Sequence, residues 1–77
     1  MSSARKIDLT GMKCPMPIIK LNQLLKEVGD GEEFVATADD PAFCLDVEAW
    51  CRRVGSDLVS CQDSDGKMTV VIRKHAA

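Results

Sequence analysis

The spacing of the apolar residues changes along this chain, and those changes leave few folds open to it. Between Lys6 and Thr10, Ile7 and Leu9 flank Asp8, the period-two signature of a short half-buried strand that Gly11 ends. From Pro15 the period lengthens. Ile18, Leu21, Leu24, Leu25 and Val28 recur at helical steps, the lysines and Glu27 fall elsewhere, and Gly29 supplies a C-terminal stop. The chain turns at "DGEE", after which Phe34, Ala36 and Ala38 alternate with Val35 and Thr37, so Glu33–Ala38 reads as a second strand. "ADDPAFC" opens a second helix. Asp39 or Asp40 can cap its amides, Pro41 suits its first position, and Phe43, Val47, Trp50 and Val54 form one stripe ahead of Gly55. Asp57–Gln62 and Met68–Lys74 then read as strands joined across "DSDG", whose Asp65-Gly66 pair is a strong hairpin signal.

The order β-α-β-α-β-β in 77 residues predicts one domain, residues 1–77, near the size where a single core just suffices. Right-handed β-α-β crossovers put both helices on the same side of the sheet. The expected fold is therefore an α+β two-layer sandwich, a four-stranded mixed sheet with two helices on one face.

Several function classes drop out on composition. No apolar run approaches the roughly 20 residues a bilayer helix needs, so no membrane role is expected. The start "MSSARKIDLTG" has no apolar stretch of a secretory signal, which points to the cytoplasm, a reducing compartment. A net charge of -2 and 4% aromatic residues argue against direct nucleic-acid binding, which needs a basic surface and stacking side chains. Cys14, Cys44, Cys51 and Cys61 are separated by 29, 6 and 9 residues, unlike the close pairs of structural zinc sites, and His75 stands alone in a basic tail; no metal is expected. In a reducing compartment the cysteines are expected as free thiols.

One of them stands in unusual company. In "GMKCPMP", Gly11 to Pro17, Cys14 falls at the junction of strand and helix, and Pro15 biases it toward the extended geometry of an N-cap. The helix mouth favours an anion, so a thiolate or persulfide at Cys14 is stabilised, with Lys13 as a cationic neighbour. Pro15 and Pro17 carry no amide hydrogen, which leaves the Met16 and Ile18 amides as the early donors. Met12, Met16 and the prolines form a stiff apolar collar suited to docking another protein. The motif itself holds no histidine, acid or second cysteine to act as base or resolving thiol, so the chemistry reads as holding sulfur. The plainer reading is that Cys14 caps or packs and Pro15 starts the helix.

"DLTGMKCPMPIIKLNQLL" resembles the Cys-Pro-x-Pro signature of the TusA (SirA-like) sulfur carrier proteins, and "ATADDPAFCLDVEAWCRRVG" is similar to that family's Asp-Pro helix start and aromatic-Cys pair, here Trp50-Cys51. The resemblance covers essentially the whole chain. It implies the same β-α-β-α-β-β sandwich and a carrier whose Cys14 accepts sulfane sulfur as a persulfide and passes it on, with no cofactor beyond that covalent sulfur. It implies a cysteine desulfurase or rhodanese-like donor and a DsrE-type or other sulfur-accepting protein, with Met12, Lys13, Pro15, Met16 and Pro17 at the contact. Implied destinations are 2-thiouridine formation in transfer RNA, molybdenum cofactor assembly or sulfur oxidation. Met16 stands where members that thiolate transfer RNA carry an acidic residue. Cys44 is a cysteine the family does not lead one to expect.

The remaining thiols have ordinary readings. Cys44 and Cys51 lie seven residues apart, ~10.5 Å along a helix, too far to bridge one another. Cys51 is expected in the core, and Cys61 shares a strand face with Val59 by alternation. Cys44, nearer the helix start, is the possible second thiol. Two other functions compete with a carrier: a thiol redox protein using Cys14 with Cys44, and a small RNA-binding or regulatory module.

Overall fold

A computed structural model describes residues 5–13 and 16–75. Six elements follow in the order expected: β1 (Arg5–Asp8), α1 (Met16–Glu27), β2 (Glu33–Ala38), α2 (Phe43–Val54), β3 (Asp57–Ser64) and β4 (Lys67–Arg73). The sheet is mixed, in spatial order β1-β2-β4-β3, with β1 parallel to β2 and both other pairs antiparallel. β2 and β4, the inner strands, are thus paired on both edges, and the two helices cover one face.

The apolar spacing explains where the core lies. Phe34, Ala36 and Ala38 of β2 and Val70 and Ile72 of β4 are buried, as are Leu21 of α1 and Phe43, Val47, Trp50 and Cys51 of α2. Trp50 joins the helices by polarity as well as by packing, its indole Nε1–H donating to Asn22 Oδ1 at 2.6 Å. The opposite face of the sheet carries half-buried Val35, Thr37 and Thr69. α2 ends at Gly55 in the left-handed conformation, its amide returning to the Cys51 carbonyl, a standard helix stop.

The hairpin forms where Asp65-Gly66 predicts it. Both residues have positive φ, 52° and 78°, the pattern of a tight primed turn, and the strands run up to it on either side, to Ser64 and from Lys67. The strand alternation read from sequence fails at one place. Leu58 pairs with Ile72 and Ser60 with Val71, so a β-bulge inserts Val59 as an extra residue. The inner-face residues of β3 are therefore Leu58 and Cys61, both packed against the core, while Val59 is 47% exposed. The expected Val59–Cys61 face does not exist.

Candidate functional site

The segment leading from β1 to α1 is held by its own polar groups. Asp8 Oδ1 accepts the Thr10 hydroxyl at 2.6 Å and the Thr10 amide at 3.0 Å. Those bonds, the hydroxyl's first, hold the Asp8 carboxyl below its ordinary range, so the turn keeps its charged acceptor to lower pH than a free carboxylate would. Leu9 is buried and its amide extends the β1–β2 pairing to the Thr37 carbonyl, while the Met12 amide returns to the Leu9 carbonyl. Gly11 has φ +83°, a conformation that costs a side chain-bearing residue energy and glycine none.

The Gly11 amide is in turn fixed from across the sheet, donating to Asp39 Oδ1 at 3.0 Å. Asp39 was one of two expected caps for α2; it serves the Gly11 turn instead. Asp40 meets the approach to α2, its Oδ1 accepting the Ala42 amide and its carbonyl the Phe43 amide, and α2 itself receives no side-chain cap at Ala42. Gly11, Met12 and Lys13 on one side and Asp39, Asp40 and Pro41 on the other line a cleft of about 410 Å³. An exposed lysine thus shares this cleft with two acidic residues.

Because Asp39 is exposed, its bond to Gly11 matters more to the loop than to global stability. Asp39→Ala is expected to speed exchange of the Gly11 amide by roughly two- to tenfold, the range of one net hydrogen bond, and Asp39→Asn, which keeps the acceptor, to restore it. Nuclear magnetic resonance hydrogen exchange measures this directly; equal rates in all three proteins would remove Asp39 from the loop's support.

Four candidate residues of the "GMKCPMP" motif, Met12, Lys13, Met16 and Pro17, are described, and they differ in depth. Cys14 and Pro15 lie outside the described residues. Lys13 and Met16 are exposed, Met16 at 44%, whereas Pro17 is buried in the first turns of α1 and Met12 packs half-buried against the core. Met12 and Pro17 anchor the segment, and Met16 extends outward with Ile19, three residues on and 41% exposed. Ile19 is a surface residue that the helical stripe left out by default. The Met16 amide, one of the early donors expected from the sequence, donates to the Lys13 carbonyl at 2.9 Å.

The other thiols divide sharply. Cys51 is free and buried, as its helical position predicts, and burial, with Asp57 second, pushes its thiol up to about 11. Cys44 and Cys61 are not free thiols: they are joined as a disulfide, with Cα atoms 6.3 Å apart. Cys44 thus has Cys61 for its partner, where the redox reading gave it Cys14. The bulge at Val59 is the physical reason, since it turns Cys61 onto the helix-facing side of the sheet. Among the described residues no group of three or more His, Cys, Asp or Glu side chains is placed to hold a metal, and no helix is long and apolar enough to cross a membrane.

The family described as sulfurtransferase TusA matches residues 5–74. The sulfur carrier protein TusA of Allochromatium vinosum is 27% identical over 70 residues, 91% of this chain and 92% of its own length. A relative in Neisseria meningitidis serogroup A is 32% identical over 71 residues, covering 92% of this chain and 96% of that protein. An Aquifex aeolicus relative is 29% identical over 70 residues, and this chain spans 36% of its length. In fold the chain is similar to the crystal structure of a SirA-like protein from Desulfitobacterium hafniense, with a TM-score of 0.80 at 23% identity over 92% of this chain and 97% of that one.

Proposed function

The chain belongs to the TusA family of sulfur carriers, and from that premise we propose that Cys14 is its sulfur-bearing atom, loaded as a persulfide and discharged to a partner protein. The observation that carries the reading is the family match, whose span, residues 5–74, includes "GMKCPMP". The pinned Gly11 turn supports it, because it holds the backbone that leads into the motif, and the cleft beside Lys13 offers a partner room there.

The chemistry balances without an oxidant. The Cys14 thiolate attacks the terminal sulfur of a donor persulfide, R–S–SH, giving Cys14–S–SH and the thiolate R–S⁻. An acceptor thiolate then attacks that same terminal sulfur, forming its own persulfide and returning Cys14 as a thiolate. One sulfur moves at each step and no net electrons are exchanged. A cysteine desulfurase or rhodanese-like protein suits the donor role and a DsrE-type or other sulfur-accepting protein the acceptor role. Exposed Met16 and Ile19 give such partners an apolar contact beside the motif. Apolar Met16, in place of an acid, favours an acceptor other than the transfer RNA thiolation machinery.

A carrier and a hydrolytic or redox enzyme differ in stoichiometry. Loaded with polysulfide and freed of excess reagent, the chain should gain the mass of one sulfur atom and lose it to an added acceptor thiol protein, mole for mole, in a single turnover read by intact mass. Release as free sulfide without gain by the acceptor would overturn the carrier role.

A further inference from the structure

Cys44 and Cys61 lie outside the sulfur-carrying motif, and the carrier chemistry does not use them. They are nevertheless brought together by specific features of the fold. Cys44 is the second residue of α2, in a first turn that has no side-chain cap. Cys61 reaches it because the bulge at Val59 reverses the alternation of β3; a regular strand would put Leu58 and Cys61 on opposite faces. The Cα separation of 6.3 Å lies within the span a disulfide bridges without moving the backbone.

The bond lies at the edge of the core. The twelve buried residues of the core include neither cysteine; both pack at its margin and are partly exposed. As thiols they remain small apolar side chains against that margin, so the reduced chain keeps the same core. Both redox states are therefore compatible with one fold, and both residues keep part of their surface in solvent. We propose that Cys44 and Cys61 form a reversible dithiol–disulfide site, a second sulfur-reactive centre that exchanges with low-molecular-weight disulfides of the glutathione class.

The exchange begins at Cys44, which sits in the first turn of α2 at the positive end of its dipole, whereas Cys61 sits mid-strand opposite Val70. Cys44 Sγ⁻ attacks the disulfide R–S–S–R, forming Cys44–S–S–R and releasing R–S⁻. Cys61 gives up its proton and attacks Cys44 Sγ, forming the Cys44–Cys61 bond and expelling the second R–S⁻. Two protein thiols are oxidised, one external disulfide is reduced to two thiols, and the protons of the cysteines end on those thiols. The consequence is local. Cys44 lies three residues beyond Pro41, so the bond ties the end of the cleft wall formed by Asp39, Asp40 and Pro41 to β3.

The test equilibrates the full chain in mixtures of reduced and oxidised glutathione, quenches with an alkylating reagent and maps the cysteines by mass. The expected result is a reversible passage between a form with Cys44 and Cys61 joined and a form with both alkylated, the circular dichroism spectrum staying folded in each. Cys61→Ser should trap one glutathione on Cys44, and Cys44→Ser should trap little on Cys61. The proposal is overturned if the bond fails to form at any ratio or cannot be opened without unfolding the chain. It is equally overturned if the reduced chain is unfolded, or if glutathione accumulates on Cys61 rather than Cys44. Sulfur loading at Cys14 is not read in this experiment, so its outcome leaves the carrier assignment independent.

Discussion

Cys14→Ser is expected to take up essentially no sulfur from polysulfide under conditions in which the unaltered chain gains one sulfur atom. Serine offers a hydroxyl that stays protonated at neutral pH and forms no persulfide, so the loss should be complete. The prediction is sharp because the other thiols are disqualified for separate physical reasons. With its thiol pushed up to about 11 by burial, Cys51 has on the order of one thiolate in ten thousand at pH 7 and little access to reagent. Cys44 and Cys61 hold no thiol while they are joined. Cys51→Ala should therefore load as the unaltered chain does. Intact-mass analysis of oxidised protein at pH 7 and again at pH 8 reads the contrast; a Cys14→Ser chain that loads equally would move the carrier atom elsewhere in the molecule.

Both the fold and the family were legible in the sequence, because each rests on patterns that local physics enforces. The period of Phe34, Ala36 and Ala38 and the stripe of Phe43, Val47, Trp50 and Val54 put the same residues in the core that the structure buries, Val54 lying at its edge. Asp65-Gly66 announced its turn because few other residue pairs tolerate two positive φ values. What sequence could not give were choices between equivalent local partners. Asp39 and Asp40 are interchangeable as caps on paper. Only the parallel pairing of β1 with β2 brings Asp39 within 3.0 Å of Gly11, a residue 28 positions away.

The bulge is the deeper case. Nothing in "DLVSCQDS" marks Val59 as an extra residue, since a bulge is fixed by how β3 must register against β4 between Leu58–Ile72 and Ser60–Val71. Missing it grouped Cys61 with Val59, left it open between core and sheet surface, and hid its pairing with Cys44. The expectation of free thiols failed through the same strand, with compartment chemistry standing in for geometry. Pro17 shows a milder form of this failure. Its place in the motif suggested a contact surface, but it follows Met16 into the first turn of α1 on the side that packs inward.

Trp50→Ala should bring the chain close to unfolding. The side chain is 2% exposed and is the largest in the core, so its truncation leaves a cavity and costs about 3–5 kcal/mol. A 77-residue domain has about 4–12 kcal/mol to lose at typical stability per residue. The lost indole bond adds little, because Asn22 is exposed and its Oδ1 can turn to water. Trp50→Phe separates the two terms: it keeps most of the apolar volume and gives up the Nε1–H donor, for about 1 kcal/mol from the bond plus a smaller packing loss. Asn22→Ala removes the same bond from the other side and leaves the indole N–H without its acceptor, for about 1–3 kcal/mol. Urea unfolding of the four proteins measures the differences, with the midpoint falling most for Trp50→Ala. If Asn22→Ala were as damaging as Trp50→Ala, the two helices would be held by their polar link and not by the packed face of α2 against the sheet.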